Sequence, residues 1–357
     1  MSRTEKRKGV ICASAGNHSQ GVAYSCKSLG ITGTIFMPIT RPIQKVEQVK
    51  MFGESFVEVV LYGDTFDDAK AKTVNESKDQ GKVFVHPFDD PRIIEGQATV
   101  GLELTEQADF PIDYIFVPVG GGGLVAGILT ILKHLSPKTT VIGLEPEGAA
   151  SMLLAIDNGH VSSLSDIDTF VDGASVKQVG GLNFSICHGH LKELLSVPSG
   201  KVAKEVIELY NRDAMVIEPA GVLSVSALDY YRDIIKEKNV ACILSGGNND
   251  ISRTPEFSER ALLFENLKHY FLVNFPQRAG ALREFVIKIL GPNDDITFFQ
   301  FIKKNNSSRA IAVVGVELKS VEDLQPLIHR KKLHGFYSDH LNGKPELLKS
   351  LVWTSLL

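Results

Sequence analysis

The sequence predicts an α/β fold of two lobes with parallel sheets, followed by a small α+β module. Three observations predict it. From Gly9 to about residue 250, short β-branched runs alternate with helical patterns, the rhythm of parallel strands joined by crossover helices. Three of those strands run directly into glycine-rich segments, at 14–18, 120–124 and 245–250. Beyond Arg253 the pattern changes to a charged helix and then a compact βαββα order.

Val10-Ile11-Cys12-Ala13 reads as a buried strand, and 20–29 as a helix closed by Gly30. Thr34-Ile35-Phe36-Met37 is the next strand. Pro42 suits the first turn of a helix that carries Ile43, Val46 and Val49 and ends at Gly53. A strand at 56–61, a helix at 66–77 and the strand Val83-Phe84-Val85 complete a first series. The second series has helices at 94–107, 124–135, 202–211 and 220–236, with strands at 114–119, 141–144 and 240–244. The module then has strands at 269–275, 296–302 and 310–318, and helices at 281–290 and 321–330. The organisation expected is a smaller lobe at 9–93, a larger lobe at 94–254, a helical connector at 255–267 and the module at 268–342.

Composition narrows the function. The 357 residues are 43% hydrophobic and 22% charged, enough apolar material for large cores. Lys and Arg number 38 against 42 Asp and Glu, a net charge of −4, so no basic excess exists to neutralise nucleic-acid phosphates. The longest uncharged run, 114–132, contains Pro118 and five glycines and reads as strand, loop and helix, not as a membrane span. Cys12, Cys26, Cys187 and Cys242 lie far apart without CxxC spacing, as free thiols of a reducing compartment do. Met1 to Lys8 is followed by no apolar signal region, and a cytoplasmic location is expected.

Ligands of open α/β sheets gather at the carboxyl ends of strands. Gly120-Gly121-Gly122-Gly123-Leu124 is the sharpest such end. Four residues without Cβ let consecutive backbone N–H groups face one anion, and the following helix adds its N-terminal dipole. No Lys-Ser/Thr pair follows, which excludes a Walker-type nucleotide loop. Two other readings stay open: a flexible turn, and a dinucleotide fingerprint. Gly121-x-Gly123-x-x-Ala126, with Glu145 at the end of the next strand as a ribose-binding acid, would make a nicotinamide-dependent dehydrogenase. That reading leaves the other two glycine-rich ends without a task, whereas a compact phosphorylated ring gripped on several sides uses all three.

Four ordered motifs carry a family resemblance: Ser-Ala-Gly-Asn-His-Ser-Gln-Gly-Val-Ala (14–23), Pro-Val-Gly-Gly-Gly-Gly-Leu-Val-Ala-Gly (118–127), Glu-Pro-Ala-Gly (218–221) and Ser-Gly-Gly-Asn-Asn-Asp (245–250). They resemble pyridoxal-phosphate (PLP) enzymes of the tryptophan-synthase-β fold, and more narrowly biosynthetic threonine deaminases. His86-Pro87-Phe88-Asp89-Asp90-Pro91, Gly96-Gln97 and Asp172-Gly173-Ala174 add to the likeness. The resemblance implies pyridoxal 5'-phosphate as cofactor, with Asn17 at the ring's phenolic oxygen and Ser245 at the pyridine nitrogen. It implies that Gly120, Gly121, Gly122, Gly123 and Leu124 hold the phosphate through backbone N–H groups. A hydroxyl bonds the pyridine nitrogen without protonating it, which weakens the electron sink and favours expulsion of a β-hydroxyl. The implied reaction is β-elimination of L-threonine, with L-serine a poorer substrate, to 2-oxobutanoate and ammonia in isoleucine synthesis.

The family's Ser-Phe-Lys-x-Arg-Gly-Ala motif, which supplies the Schiff-base lysine, does not occur in this sequence. Met1 to Lys8 resembles the polar stretch that follows that motif, so the fold is expected to be N-terminally incomplete. No catalytic residue is assigned for this reason. Turnover is expected to be crippled, since positioned acid–base catalysis is worth ~10²–10⁴-fold, and poor solubility is expected from uncovered core. Lys27, Lys45 and Lys50 fall on helical surface patterns as solvated side chains.

Smaller signals remain. His18 reads first as a structural hydrogen-bond partner, and Cys187-His188-Gly189-His190 lacks a complete metal-ligand set. Glu218 could line the ring's site. Glu145 and Glu147, beside Pro146, read as a paired acid or, in preference, as a solvated turn. Residues 274–282 resemble the entry turn of ACT-like regulatory domains, which bind amino acids and pair with one another; a homo-oligomer is expected, and the module reads either as an amino-acid effector site or as a domain serving only oligomerisation. A non-catalytic amino-acid-binding or assembly protein on the same lobes stays open.

Overall fold

The structure, a computed structural model, describes residues 1–40, 43–301 and 309–353. The chain forms two compact units, Met1–Asp250 and Ile251–Leu357. Among the described residues no helix is long and apolar enough to cross a membrane, and all four cysteines are free thiols.

The first unit holds two four-stranded sheets. Strands β1 (Val10–Ala13), β2 (Gly33–Met37), β3 (Val57–Leu61) and β4 (Val83–Phe84) pair in the order β3-β2-β1-β4, all parallel. Strands β5 (Tyr114–Pro118), β6 (Thr140–Pro146), β7 (Glu193–Val197) and β8 (Val240–Cys242) pair in the order β7-β6-β5-β8, again all parallel. Every residue of β1 and β2 is buried, as expected for strands covered on both faces by helices. The uncharged run at 114–132 divides into β5, a glycine turn and the helix Gly123–Leu135.

That helix is held close to Pro91–Gln107 by missing side chains. A Cβ on Gly127 would lie 2.6 Å from Ala98 N, and one on Gly101 would lie 3.3 Å from Ile128 Cα. The Pro91–Gln107 helix begins three residues before the expected 94 because Asp90 caps it, accepting from Arg92 N, with Pro91 at its first position.

Several boundaries differ from the sequence reading. The helix expected from 20 starts at Asn17, with Gly16 extended as its N-cap and Ser19 Oγ donating to Gly16 O at 2.6 Å. The helix expected over 220–236 ends at Ser226. Ser226 Oγ back-bonds to Val222 O, and Asp229 is drawn to Lys201 Nζ at 2.6 Å, so local bonds compete with helical continuation. Strand β7 and the helices Ser151–Asn158 and Gly181–Cys187 were not foreseen. Pro42 and residue 302, placed in a helix and a strand by sequence, lie outside the described residues.

The second unit is an antiparallel sheet of β9 (Lys268–Pro276), β10 (Asp295–Phe301), β11 (Arg309–Glu317) and β12 (Ser338–His340), ordered β10-β11-β9-β12. The helices Ala281–Lys288 and Leu324–Leu333 bring Phe285 and Leu327 into a core with Phe271, Val273 and Phe275. The edge strand β12 is an addition to the expected βαββα order; at three residues it is too short to show a period.

Candidate functional site

Two of the three glycine-rich strand ends of the first unit, 14–18 and 245–250, meet at Glu218. Asn17, in the first turn after β1, donates from Nδ2 to Glu218 Oε1 at 2.6 Å. Glu218 begins the Pro219–Ser226 helix, and its N–H donates to Gly246 O at 3.1 Å. A Cβ on Gly246 would fall 2.2 Å from Glu218 Oε1 and 2.7 Å from Asn17 Nδ2, so only glycine lets the loop after β8 approach this pair. Glu218 is 5% exposed. Burial pushes its pKa up and the charge of Asp172 adds to that, against the hydrogen bond from Asn17 and the charge of Lys45.

The loop after β5 is packed from both sides. A Cβ on Gly120 would lie 2.9 Å from Ala174 Cα, and one on Gly121 would enter the Phe88 ring at 2.3 Å. Gly122 has φ +91, a left-handed conformation that disfavours any side chain. Among the described residues no acceptor takes the N–H groups of Gly120, Gly121, Gly122, Gly123 or Leu124. Five donors at the start of a 13-residue helix suit an anion of phosphate size. Ser245 is exposed, as is Asn17, while Leu124 is half-buried.

The turn 85–90 braces this loop. His86 Nδ1 accepts from Asp89 N at 2.7 Å and Phe88 N at 3.2 Å. Asp89 accepts from Gly181 N and Leu182 N, each at 3.0 Å. His18 Nε2 donates to Val85 O at 3.1 Å, and burial lowers its pKa to about 4, so it stays neutral in ordinary buffers. In the segment after Cys187, Lys133 Nζ donates to His190 Nε2 at 3.1 Å.

Two sequence readings are corrected. Glu145 is neither a solvated turn residue nor disposed to meet a ribose. It is fully buried and accepts from Met152 N at 2.7 Å and Leu153 N at 2.8 Å, capping the helix Ser151–Asn158. This removes the acid that the dinucleotide fingerprint required. Lys45 is not a solvated lysine. Its Nζ lies 2.5 Å from Asp172 Oδ2, with side-chain exposures of 12% and 22%, because the helix Ile43–Gly53 turns that face toward the Asp172-Gly173-Ala174 turn. Sequence reasoning also missed Asn183, which is fully buried and donates to Phe88 O and Gly121 O, 95 and 62 positions away in the chain.

Two parallel sheets, a glycine-lined anion cradle and polar side chains on two further strand ends fit the site of a pyridoxal-phosphate-dependent enzyme. The family model described as pyridoxal-phosphate dependent enzyme matches residues 2–246, and that of the C-terminal regulatory domain of threonine dehydratase matches 259–351. The chain is 51% identical over 356 residues to the biosynthetic L-threonine dehydratase IlvA of Halalkalibacterium halodurans, covering 99% of this chain and 85% of the relative. It is 51% identical over 352 residues to that of Bacillus subtilis, covering 99% and 83%. The chain belongs to the biosynthetic threonine dehydratase family. Among solved structures it is similar to the processed threonine deaminase isoform 2 of Solanum lycopersicum. There the TM-score is 0.69 at 39% identity, over 73% of this chain and 76% of that one.

Proposed function

We propose that the chain acts on L-threonine by pyridoxal-phosphate-dependent β-elimination, yielding 2-oxobutanoate and ammonia for isoleucine synthesis, with L-serine a poorer substrate. The observation that carries this reading is the convergence of Asn17, Glu218 and Gly246 beside a cradle of N–H donors without acceptors. Gly120, Gly121, Gly122, Gly123 and Leu124 would hold the phosphate, Asn17 the phenolic oxygen and Ser245 the pyridine nitrogen. The bound group supplies an electron sink for bonds at the substrate's α-carbon. The serine hydroxyl keeps that sink weak, and Glu218 orients the Asn17 amide.

Residues 1–357 hold no Ser-Phe-Lys motif, and the proposal for them is cofactor binding with weak turnover. The test is production of 2-oxo acid from L-threonine with added pyridoxal phosphate, beside equilibrium dialysis of the cofactor. Binding with little product supports the reading. Absence of binding overturns it. Robust turnover would instead assign the covalent role to a lysine of this chain, with Lys45 the first to replace.

The second unit has a cavity of about 480 Å³ at the junction of β9 and the Ala281–Lys288 helix, lined among others by Phe275, Arg278, Gly280, Phe299 and Phe301. We infer that it binds an amino-acid effector such as isoleucine or valine, with Arg283, beside an Arg278 already paired with Glu284, as the cation for its carboxylate. Calorimetric titration with each tests this; no heat from either would remove the assignment. A cytoplasmic homo-oligomer completes the proposal, and sedimentation tests its assembly.

A further inference from the structure

Asn183 has no role in the reading above, yet it is fully buried against the anion cradle. Its Nδ2 donates to Gly121 O at 2.8 Å and to Phe88 O at 3.1 Å. Carbonyls only accept, so both amide protons are committed and the orientation of the side chain is settled. Its Oδ1 is left buried without a partner. An orphaned acceptor is costly, and the two bonds its donors make offset that cost.

What they do follows from peptide geometry. Gly121 O also accepts from Gly180 N at 3.1 Å. Two donors therefore fix this carbonyl toward the wall formed by residues 180–183. In a planar trans peptide the N–H of the next residue points the opposite way. The N–H of Gly122 is thus turned away from that wall, and it has no acceptor among the described residues. Nothing larger fits between the two, since a Cβ on Gly122 would lie 2.9 Å from Asn183 Cβ. The helix that carries Asn183 is itself held by Asp89 from the other lobe.

We propose that Asn183 is a positioning residue that locks the Gly121–Gly122 peptide with its N–H toward the bound phosphate, and so makes the protein select phosphorylated over unphosphorylated cofactor without touching either. This rests on the proposed reading of 120–124 as a phosphate cradle.

The test compares dissociation constants of pyridoxamine 5'-phosphate and pyridoxamine by equilibrium dialysis of the full chain. Both probes lack an aldehyde and form no adduct with lysine. In Asn183→Leu, of similar size but without donors, the phosphorylated probe should weaken by about 10- to 100-fold, the effect expected for a lost buried hydrogen bond. Pyridoxamine should change by less than about threefold, since it does not use the loop. Asn183→Ser, smaller and with a single donor, should lose the preference in part, and decides the matter if the leucine variant does not fold. Equal weakening of both probes, or an unchanged preference in a folded variant, overturns the inference while leaving the cradle in place. A wild-type protein without preference for the phosphorylated probe overturns the cradle reading and this inference with it.

Discussion

Asn17 Nδ2 donates to Glu218 Oε1 at 2.6 Å, joining the first helical turn after β1 to the start of the Pro219–Ser226 helix. An ionised carboxylate only accepts. The contact therefore aims the NH₂ side of the amide at Glu218 and leaves a second N–H for another acceptor.

That orientation should depend on pH. Burial raises the Glu218 pKa above the ordinary 4.5, with Asp172 adding to it. As pH falls through the raised value, the protonated carboxyl becomes able to donate to the amide oxygen, and the preference for one amide orientation is lost. Cofactor affinity should fall with acid in the wild type, in a window above 4.5. Glu218→Gln should bind roughly 3- to 10-fold more weakly, with a flat profile, as for a lost charge-assisted hydrogen bond. Dialysis of pyridoxal phosphate between pH 5 and 8 checks this, and parallel profiles would rule it out.

Gly246→Ala tests the close approach of the third loop. Its Cβ would displace the Asn17–Glu218 pair, and overpacking costs about 1–3 kcal/mol. We expect about 10-fold weaker cofactor binding with circular dichroism unchanged; wild-type affinity would show that the loop relaxes freely.

Glu145 should make the first unit less stable as pH rises. Burial lifts its pKa from 4.5 to about 7, against the hydrogen bonds it accepts. The folded form binds the proton more tightly than the unfolded form, so stability is lost between those two values, by roughly 3 kcal/mol at most. Glu145→Gln should remove that slope even though it forfeits one of the capping bonds. Denaturant unfolding from pH 5 to 8 would show the two curves close at pH 5 and separating toward pH 8 as the wild type falls below the variant; curves that stay parallel would exclude the effect.

Lys331 has the opposite sign in the second unit. It is 3% exposed, sits 3.1 Å from the Phe271 ring centroid and has no carboxylate partner among the described residues. Burial lowers its pKa from 10.5 to about 7, and Lys332 adds to that. The unfolded form binds the proton more tightly, so stability should rise with pH across that window. Lys331→Met should abolish the rise and stabilise the unit at pH 7 by a few kcal/mol, on the order set by that interval. Calorimetry at pH 7 and 10 distinguishes the cases, and a variant less stable than wild type at pH 7 would refute the assignment.

The parallel-sheet class was legible because β1, β2 and β5 are runs buried on both faces, which leave a continuous apolar trace. The glycine-rich ends were legible for a related reason: close backbone approach deletes the side chain itself, and Gly120, Gly121 and Gly246 show what a Cβ would strike. Strand β7 was hidden because its half-buried edge position gives no clear period. Glu145 was misread because an acid beside proline looks solvated until a helix N-terminus is found waiting for it.

By itself, then, the sequence determined the alternation of strands and helices, the three loops free of side chains and the family those motifs resemble. All of these are local, carried by adjacent residues. Only the tertiary structure decided which polar groups meet. Asn17 and Glu218 are 201 positions apart, and Lys45 and Asp172 are 127 apart. Asn183 reaches Gly121 from another helix altogether. A hydrogen bond or ion pair needs its two atoms within about 3 Å, and for residues so distant in sequence only the packing of the lobes supplies that distance.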